Sequence, residues 1–191
     1  MAQNASLIHQ GPLRLWTGIT NPVTGTPPTL MAHTAGVPAT GTELGYTDGD
    51  ASFEYQLTKQ EIDAEQQLAP VDLVASDEAI KLTFTLQEAN YTALKSAFDS
   101  GVASVDDGSK TLFYGGGIVP TPMTVALFFS SVRRDNAAKF FIGVIYKAYS
   151  PNGFKFNFSK TKKSNYAVEL RGILDTTRNA GDMMFQFFRE K

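Results

Sequence analysis

The chain has 191 residues, 42% of them hydrophobic and fourteen of them Phe, which is enough apolar volume for a core of its own and excludes a disordered chain. It contains no cysteine, so disulfides, thiolate metal sites and cysteine nucleophiles are all excluded. The net charge of −2 hides an uneven spread: Glu43 to Glu88 holds eleven acids against two Lys, whereas from Ala89 onward fourteen Lys or Arg stand against eight acids, a polarity by which subunits can attract head to tail.

One domain is expected over residues 1–191, with residues 20–50 as a long loop or arm. The start, MAQNASLIHQGPLRLW, has neither the basic opening nor the apolar run of a signal peptide. No stretch reaches the roughly eighteen apolar residues of a membrane span, so a soluble protein made in a cytoplasm is expected. Leu7 to Ile19 carries two short apolar patches split by Gly11 and Pro12, which predicts a hairpin with Trp16 against the core. Thr20 to Asp50 is rich in Pro, Gly and Thr without a sustained period. Loops beyond about 12–15 residues are uncommon in compact domains unless functional or disordered, so this stretch is expected to order against a neighbouring subunit.

From Phe53 the pattern changes. Phe53, Tyr55 and Leu57 alternate with Glu54 and Gln56, and after Lys59 a second alternation sets Ile62 and Ala64 against Glu61, Asp63 and Glu65. Two consecutive strands are predicted, each with an acidic, water-facing side. Ile80, Leu82, Phe84 and Leu86 then alternate with Lys81, Thr83 and Thr85 as a cleaner strand. Over Gln87 to Phe98 the spacing of Ala89, Leu94 and Phe98, alongside Tyr91 and with Gly101 as a stop, predicts the one helix. Val102 to Lys110 is turn chemistry around Asp107 and Gly108. Further strands are expected at Leu112–Tyr114, Met123–Ser130, Lys139–Tyr149, Phe154–Phe158, Tyr166–Leu174 and Met183–Arg189, with Arg133, Arg134 and Asp135 as one connection and Lys160, Lys162 and Lys163 as a basic turn.

No catalytic constellation emerges. His9 and His33 are the only histidines, and no spacing joins them as ligands or as base and nucleophile. Gly115, Gly116 and Gly117 follow a strand, but Pro120 and Pro122 stand where a phosphate-binding helix would begin. Glu54, Glu61, Asp63 and Glu65 lack the contrast of environments that a catalytic carboxylate pair needs, and calcium loops place acids around a glycine turn rather than on strand alternation. Lys160 to Lys163 lacks the interleaved aromatics of a nucleic-acid face. No enzyme, cofactor or metal is expected.

The order GTELGYTDGD (Gly41 to Asp50), QEIDAEQQLAPVDLV (Gln60 to Val74), EAIKLTFTLQEANYTALKSAF (Glu78 to Phe98), YAVELRGILD (Tyr166 to Asp175) and MMFQFF (Met183 to Phe188) resembles the major tail tube proteins of long-tailed bacteriophages, which share a fold with the tube protein of type VI secretion. The resemblance spans about three quarters of the chain and rests on ordered pattern and length. It implies a mainly β fold of two packed antiparallel sheets, a sandwich or partly open barrel, with one flanking helix and a long extended loop. It also implies hexameric rings stacked head to tail into a tail tube in the virion, assembled in the host cytoplasm. The implied partners are other copies of the chain, the tape measure protein and translocating DNA in the lumen, and tail terminator and baseplate proteins at the ends, with no membrane. On this reading Glu54, Glu61, Asp63 and Glu65 line the lumen and repel DNA over a Debye length of about 8 Å. Pro22, Pro27, Pro28, Leu30, Met31, Val37 and Leu44 form the inter-subunit arm. Two other readings are a tail terminator or hub ring of the same fold, and a carbohydrate-binding β-sandwich using Trp16, Tyr91 or Tyr114.

Overall fold

The computed structural model describes residues 13–19, 33–34, 37–47, 49–62, 72–86, 102–106, 110–115, 121–129, 140–152 and 165–189. Their fold is mainly β and wholly antiparallel, and no helix occurs among them. The helix expected over Gln87–Phe98, the strand expected at Phe154–Phe158 and the basic turn at Lys160–Lys163 lie outside the described residues.

One eight-stranded sheet dominates. Along it run β4 (Thr42–Tyr46), β1 (Leu13–Thr17), β9 (Met123–Phe129), β10 (Phe141–Tyr149), β11 (Tyr166–Gly172), β6 (Asp72–Leu86) and β5 (Ser52–Ile62). The eighth strand, β12 (Phe185–Arg189), pairs with Phe141–Ile145 of β10, and β11 takes over the β10 ladder at Ala148 and Tyr149. Two short ribbons stand apart: β2 (His33–Thr34) with β3 (Val37–Pro38), and β7 (Val102–Asp106) with β8 (Thr111–Gly115). Val102–Asp106 is thus a strand and not part of the turn expected over Val102–Lys110; Asp107 and Gly108 lie outside the described residues.

The sheet curls into a half-barrel. Thr47, just past β4, bridges to Leu86 at the end of β6, so the two ends of a six-strand path meet. Inside the curl Leu13, Leu15 and Leu44 from β1 and β4 pack against Ile80, Leu82, Phe84 and Leu86 of β6 and Tyr166, Val168 and Leu170 of β11. Each fully buried aliphatic side chain contributes about 1.5–3 kcal/mol, so this interior is the main source of stability. Strand alternation explains the pattern: Lys81, Thr83 and Thr85 point outward between the buried residues of β6. β10 is apolar on both faces and buried on both, with Ile145 in the curl and Trp16, Ile142, Val144 and Tyr146 in a second cluster on the other side.

β4 corrects the expectation that residues 20–50 form a long loop or arm throughout. Leu44, expected at a subunit contact, is 1% exposed inside the curl. Its Thr-Glu-Leu-Gly-Tyr segment pairs with β1, and Arg14 binds Glu43 across that pair at 2.7 Å. Gly41 leads into the strand at φ +109°, where a Cβ would stand 2.9 Å from the Thr17 carbonyl oxygen, so only glycine fits.

Candidate functional site

The feature that the core does not require is the outer half of β5 and β6. β11 pairs with β6 only as far as Lys81, opposite Arg171. Beyond it, Asp72–Ala79 of β6 and Gln56–Ile62 of β5 continue as a two-stranded ribbon whose residues are all exposed. On it Leu73, Val74 and Ile62 are 56%, 48% and 45% exposed. The outer edge of β5 has no strand beside it among the described residues. An exposed strand edge with apolar side chains is a template for pairing that a solitary protein keeps short or charged.

Ser52–Ile62 is one strand, not the two expected from the sequence, and this separates the predicted acids. Glu54 and Glu61 differ in parity, so they stand on opposite faces of β5. Register shifts between Thr58 and Lys59, leaving Ser76 as an extra residue on β6 whose hydroxyl donates to the Thr58 carbonyl at 3.3 Å. The bulge lies on β6, so β5 keeps its alternation. Phe53, Tyr55, Leu57, Lys59 and Glu61 share one face, with Glu78, Ala75 and Leu73 of β6 beside them. Glu54 shares the other face with Lys81, Thr83, Asp77, Ile62 and Val74. Asp63 and Glu65 lie outside the described residues.

The first of these faces continues the interior of the curl outward and forms a cleft. Phe53 contacts Phe185 and Phe187 at ring separations of 5.6 and 4.8 Å, and Tyr55 contacts Phe185 at 5.1 Å. The Tyr55 hydroxyl donates to Glu78 at 2.7 Å, and that carboxylate acceptor holds the phenol above its usual pKa. Between this ribbon root and the segment after β11 lies a cleft of about 360 Å³ lined by Tyr55, Glu78, Leu174, Gly181, Met183 and Phe185.

The far wall of the cleft is held firmly. Ile173 and Asp175 donate backbone N–H groups to the Lys147 and Met183 carbonyls at 2.9 and 2.8 Å. The Asp175 carboxylate, itself buried, accepts from the Thr177 hydroxyl at 2.7 Å and pairs with Lys147 at 2.9 Å. Burial pushes the Asp175 carboxyl up, but the bonds from Thr177 and Lys147 outweigh it and hold the group below its usual pKa. Arg178 is buried with its guanidinium 3.5 Å from the centre of the Tyr146 ring, and it donates to the Asp182 carbonyl at 3.1 Å and carboxylate at 3.3 Å. Tyr146 completes the knot by donating its hydroxyl to Asp182, and burial first, then that bond, pushes its pKa far up. Leu174, 51% exposed, is therefore displayed on an ordered frame.

The opposite, outward face is polar and mixed in charge. Glu169 pairs with Lys81 at 3.7 Å and Arg171 at 2.9 Å, and a shallow cleft of about 350 Å³ lies among Asp50, Thr83, Thr85, Asn152 and Glu169. No group of three or more His, Asp or Glu side chains is placed to hold a metal ion among the described residues. Of the predicted arm, Val37 is 44% exposed in the short β3, whereas Pro22, Pro27, Pro28, Leu30 and Met31 lie outside the described residues. Trp16 is 3% exposed, so it offers no surface to a carbohydrate. Sequence reading passed over Leu73, Val74 and Leu174; the one signal was Leu73 and Val74 standing close to Asp72, Ser76, Asp77 and Glu78. No protein-family model matches the chain, and no curated protein is significantly similar to it in sequence.

Proposed function

We propose that this chain is a structural subunit that polymerises with copies of itself into a tube, in the manner of the major tail tube proteins of long-tailed bacteriophages. The observation that carries the reading is the exposed β5–β6 ribbon, with an outer edge that has no strand beside it among the described residues and aliphatic side chains on both faces. Such surface is a liability in a monomer and is accounted for when copies cover it. The curled antiparallel sheet supports the same reading, because the edge of β5, which has no strand beside it among the described residues, can pair with another subunit so that the sheet continues around a ring. Contacts that join two different patches head to tail generate rings where the rotation between copies closes and open-ended stacks where it does not.

The proposed lumen wall needs restating. Glu54 and Glu61 cannot belong to one wall of β5. The better candidate is the part of the outward face of β5, β6 and β11 that lies inward of Ile62 and Val74, where the carboxylates Glu54, Asp77 and Glu169 outnumber the cations Lys81 and Arg171 among hydroxyl and amide side chains such as Thr83, Thr58 and Gln56. A wall of that kind repels the phosphate backbone of passing DNA without binding its bases. Electron microscopy of the purified protein at rising concentration tests the proposal: long tubes are expected, isolated rings would favour the terminator or hub reading, and a lasting monomer would overturn it.

A further inference from the structure

Of the eight Asn residues only Asn152 precedes a glycine, in the run Ser150-Pro151-Asn152-Gly153. It lies just past β10, exposed and outside any strand, so no ladder holds its backbone extended. Its side-chain amide donates to Glu169 at 3.4 Å, beyond the usual range for such a bond, so the side chain is only loosely held. The peptide group that joins Asn152 to Gly153 has a closer partner: the Ser150 hydroxyl donates to the Asn152 carbonyl oxygen at 2.7 Å.

We propose that Asn152 is a site of self-modification, at which the peptide nitrogen of Gly153 displaces the side-chain amide, and that Ser150 promotes the step. Hydroxide from solvent takes the proton of that nitrogen, which bonds to Asn152 Cγ. The Cγ–Nδ2 bond breaks, and Nδ2 takes a proton from water and leaves as ammonia. Water then adds to either carbonyl of the resulting five-membered imide, opening it to Asp or to isoaspartate. In total one water is consumed and one ammonia released, with no change of oxidation state. The attacking peptide anion shares its charge between nitrogen and carbonyl oxygen, through the resonance that keeps the peptide planar. A donor already seated on that oxygen therefore favours the anion, and the Ser150 hydroxyl is such a donor. Glycine at position 153 adds no Cβ to hinder the approach. Asn179 is a comparison within the same chain: it is exposed, and its carbonyl also accepts a hydrogen bond, from the Asp182 N–H at 3.0 Å, but Ala180 follows it.

The product changes the charge of the outward face. Asn152 lines the shallow cleft with Asp50 and Glu169, so a third carboxylate joins two, where an amide had donated to one of them. Lys81 and Arg171, the cations that pair with Glu169, are then shared with the new charge. The isoaspartate product also adds a methylene to the backbone of the turn leaving β10. None of this depends on the self-assembly reading.

The test is to incubate the folded full chain in mildly alkaline buffer and follow it by peptide mass spectrometry. Amide-to-acid conversion is expected at Asn152 ahead of Asn179, with isoaspartate among the products as detected by isoaspartyl methyltransferase. Gly153→Ala should slow it by at least about tenfold. Ser150→Ala should slow it roughly threefold to tenfold in the folded chain, the worth of one hydrogen bond. The same substitution should leave the rate unchanged in urea, where the unfolded chain no longer holds the Ser150 contact. An Asn152 that stays intact while Asn179 converts overturns the site. A Ser150→Ala rate equal to that of the wild type in the folded chain, or an equal slowing in urea, overturns the part given to Ser150.

Discussion

β6 is two strands in one. From Ile80 to Leu86 every second side chain is buried in the curl, while from Asp72 to Ala79 nothing is buried on either face. Both halves share one ladder with β5, so backbone pairing does not distinguish them; the difference is that β11 and the opposing wall of the half-barrel flank only the inner half. The inner half accounts for stability and the outer half does not. On the proposed reading the outer half serves a contact between copies, and its exposed aliphatic residues are what that contact would cover.

The largest effect expected from this contrast is in the inner half. Leu82 is fully buried, and Leu82→Ala should destabilise the monomer by about 2–5 kcal/mol in urea unfolding. A loss below about 1 kcal/mol would mean that the curl is looser than its burial implies. Next comes the frame of the cleft. Arg178→Ala removes hydrogen bonds to a charged partner and exposes the face of Tyr146, for an expected loss of about 1.5–3 kcal/mol.

A smaller effect concerns pH. The folded Asp175 carboxyl lies below its unfolded value near 3.8, so the stability it contributes is fully present above about pH 4 and is lost as pH falls through the lower folded value. Asp175→Asn should therefore be less stable than the wild type at pH 7, with the gap closing in strongly acid solution; a gap that stays constant with pH would show that the Thr177 and Lys147 contacts do not favour the charged carboxylate. The smallest effect is at the ribbon, where Leu73→Ala should change monomer stability by no more than about 0.5 kcal/mol. A larger loss would place Leu73 in intramolecular packing and erase the contrast between the halves.

How much of this was legible in the sequence follows from the same physics. Ile80–Leu86, Tyr166–Gly172 and Phe141–Tyr149 could be read because one-sided or two-sided burial writes a period or an apolar run into the residues. The outer ribbon has no buried side, so it has no period, and its polar Thr58-Lys59-Gln60 stretch looked like a break between two strands. Glu54 and Glu61 were thereby placed on one face when they belong to opposite ones. Leu44 was hidden by its Gly- and Thr-rich surroundings, although it closes the curl beside β1. The knot behind the cleft joins Tyr146 to Asp182 across 36 positions, a pairing that local sequence does not carry.

The central claim is that the outer ribbon serves assembly and not folding. A variant in which Asn-Gly replaces residues 58–77 keeps Leu57 opposite Glu78 across a two-residue hairpin turn and leaves the cleft in place. Sedimentation velocity of this variant beside the wild type, over a range of concentrations, is the most direct test. Large assemblies from the wild type and a small, normally folded species from the shortened chain are predicted; equal assembly by both would contradict the account.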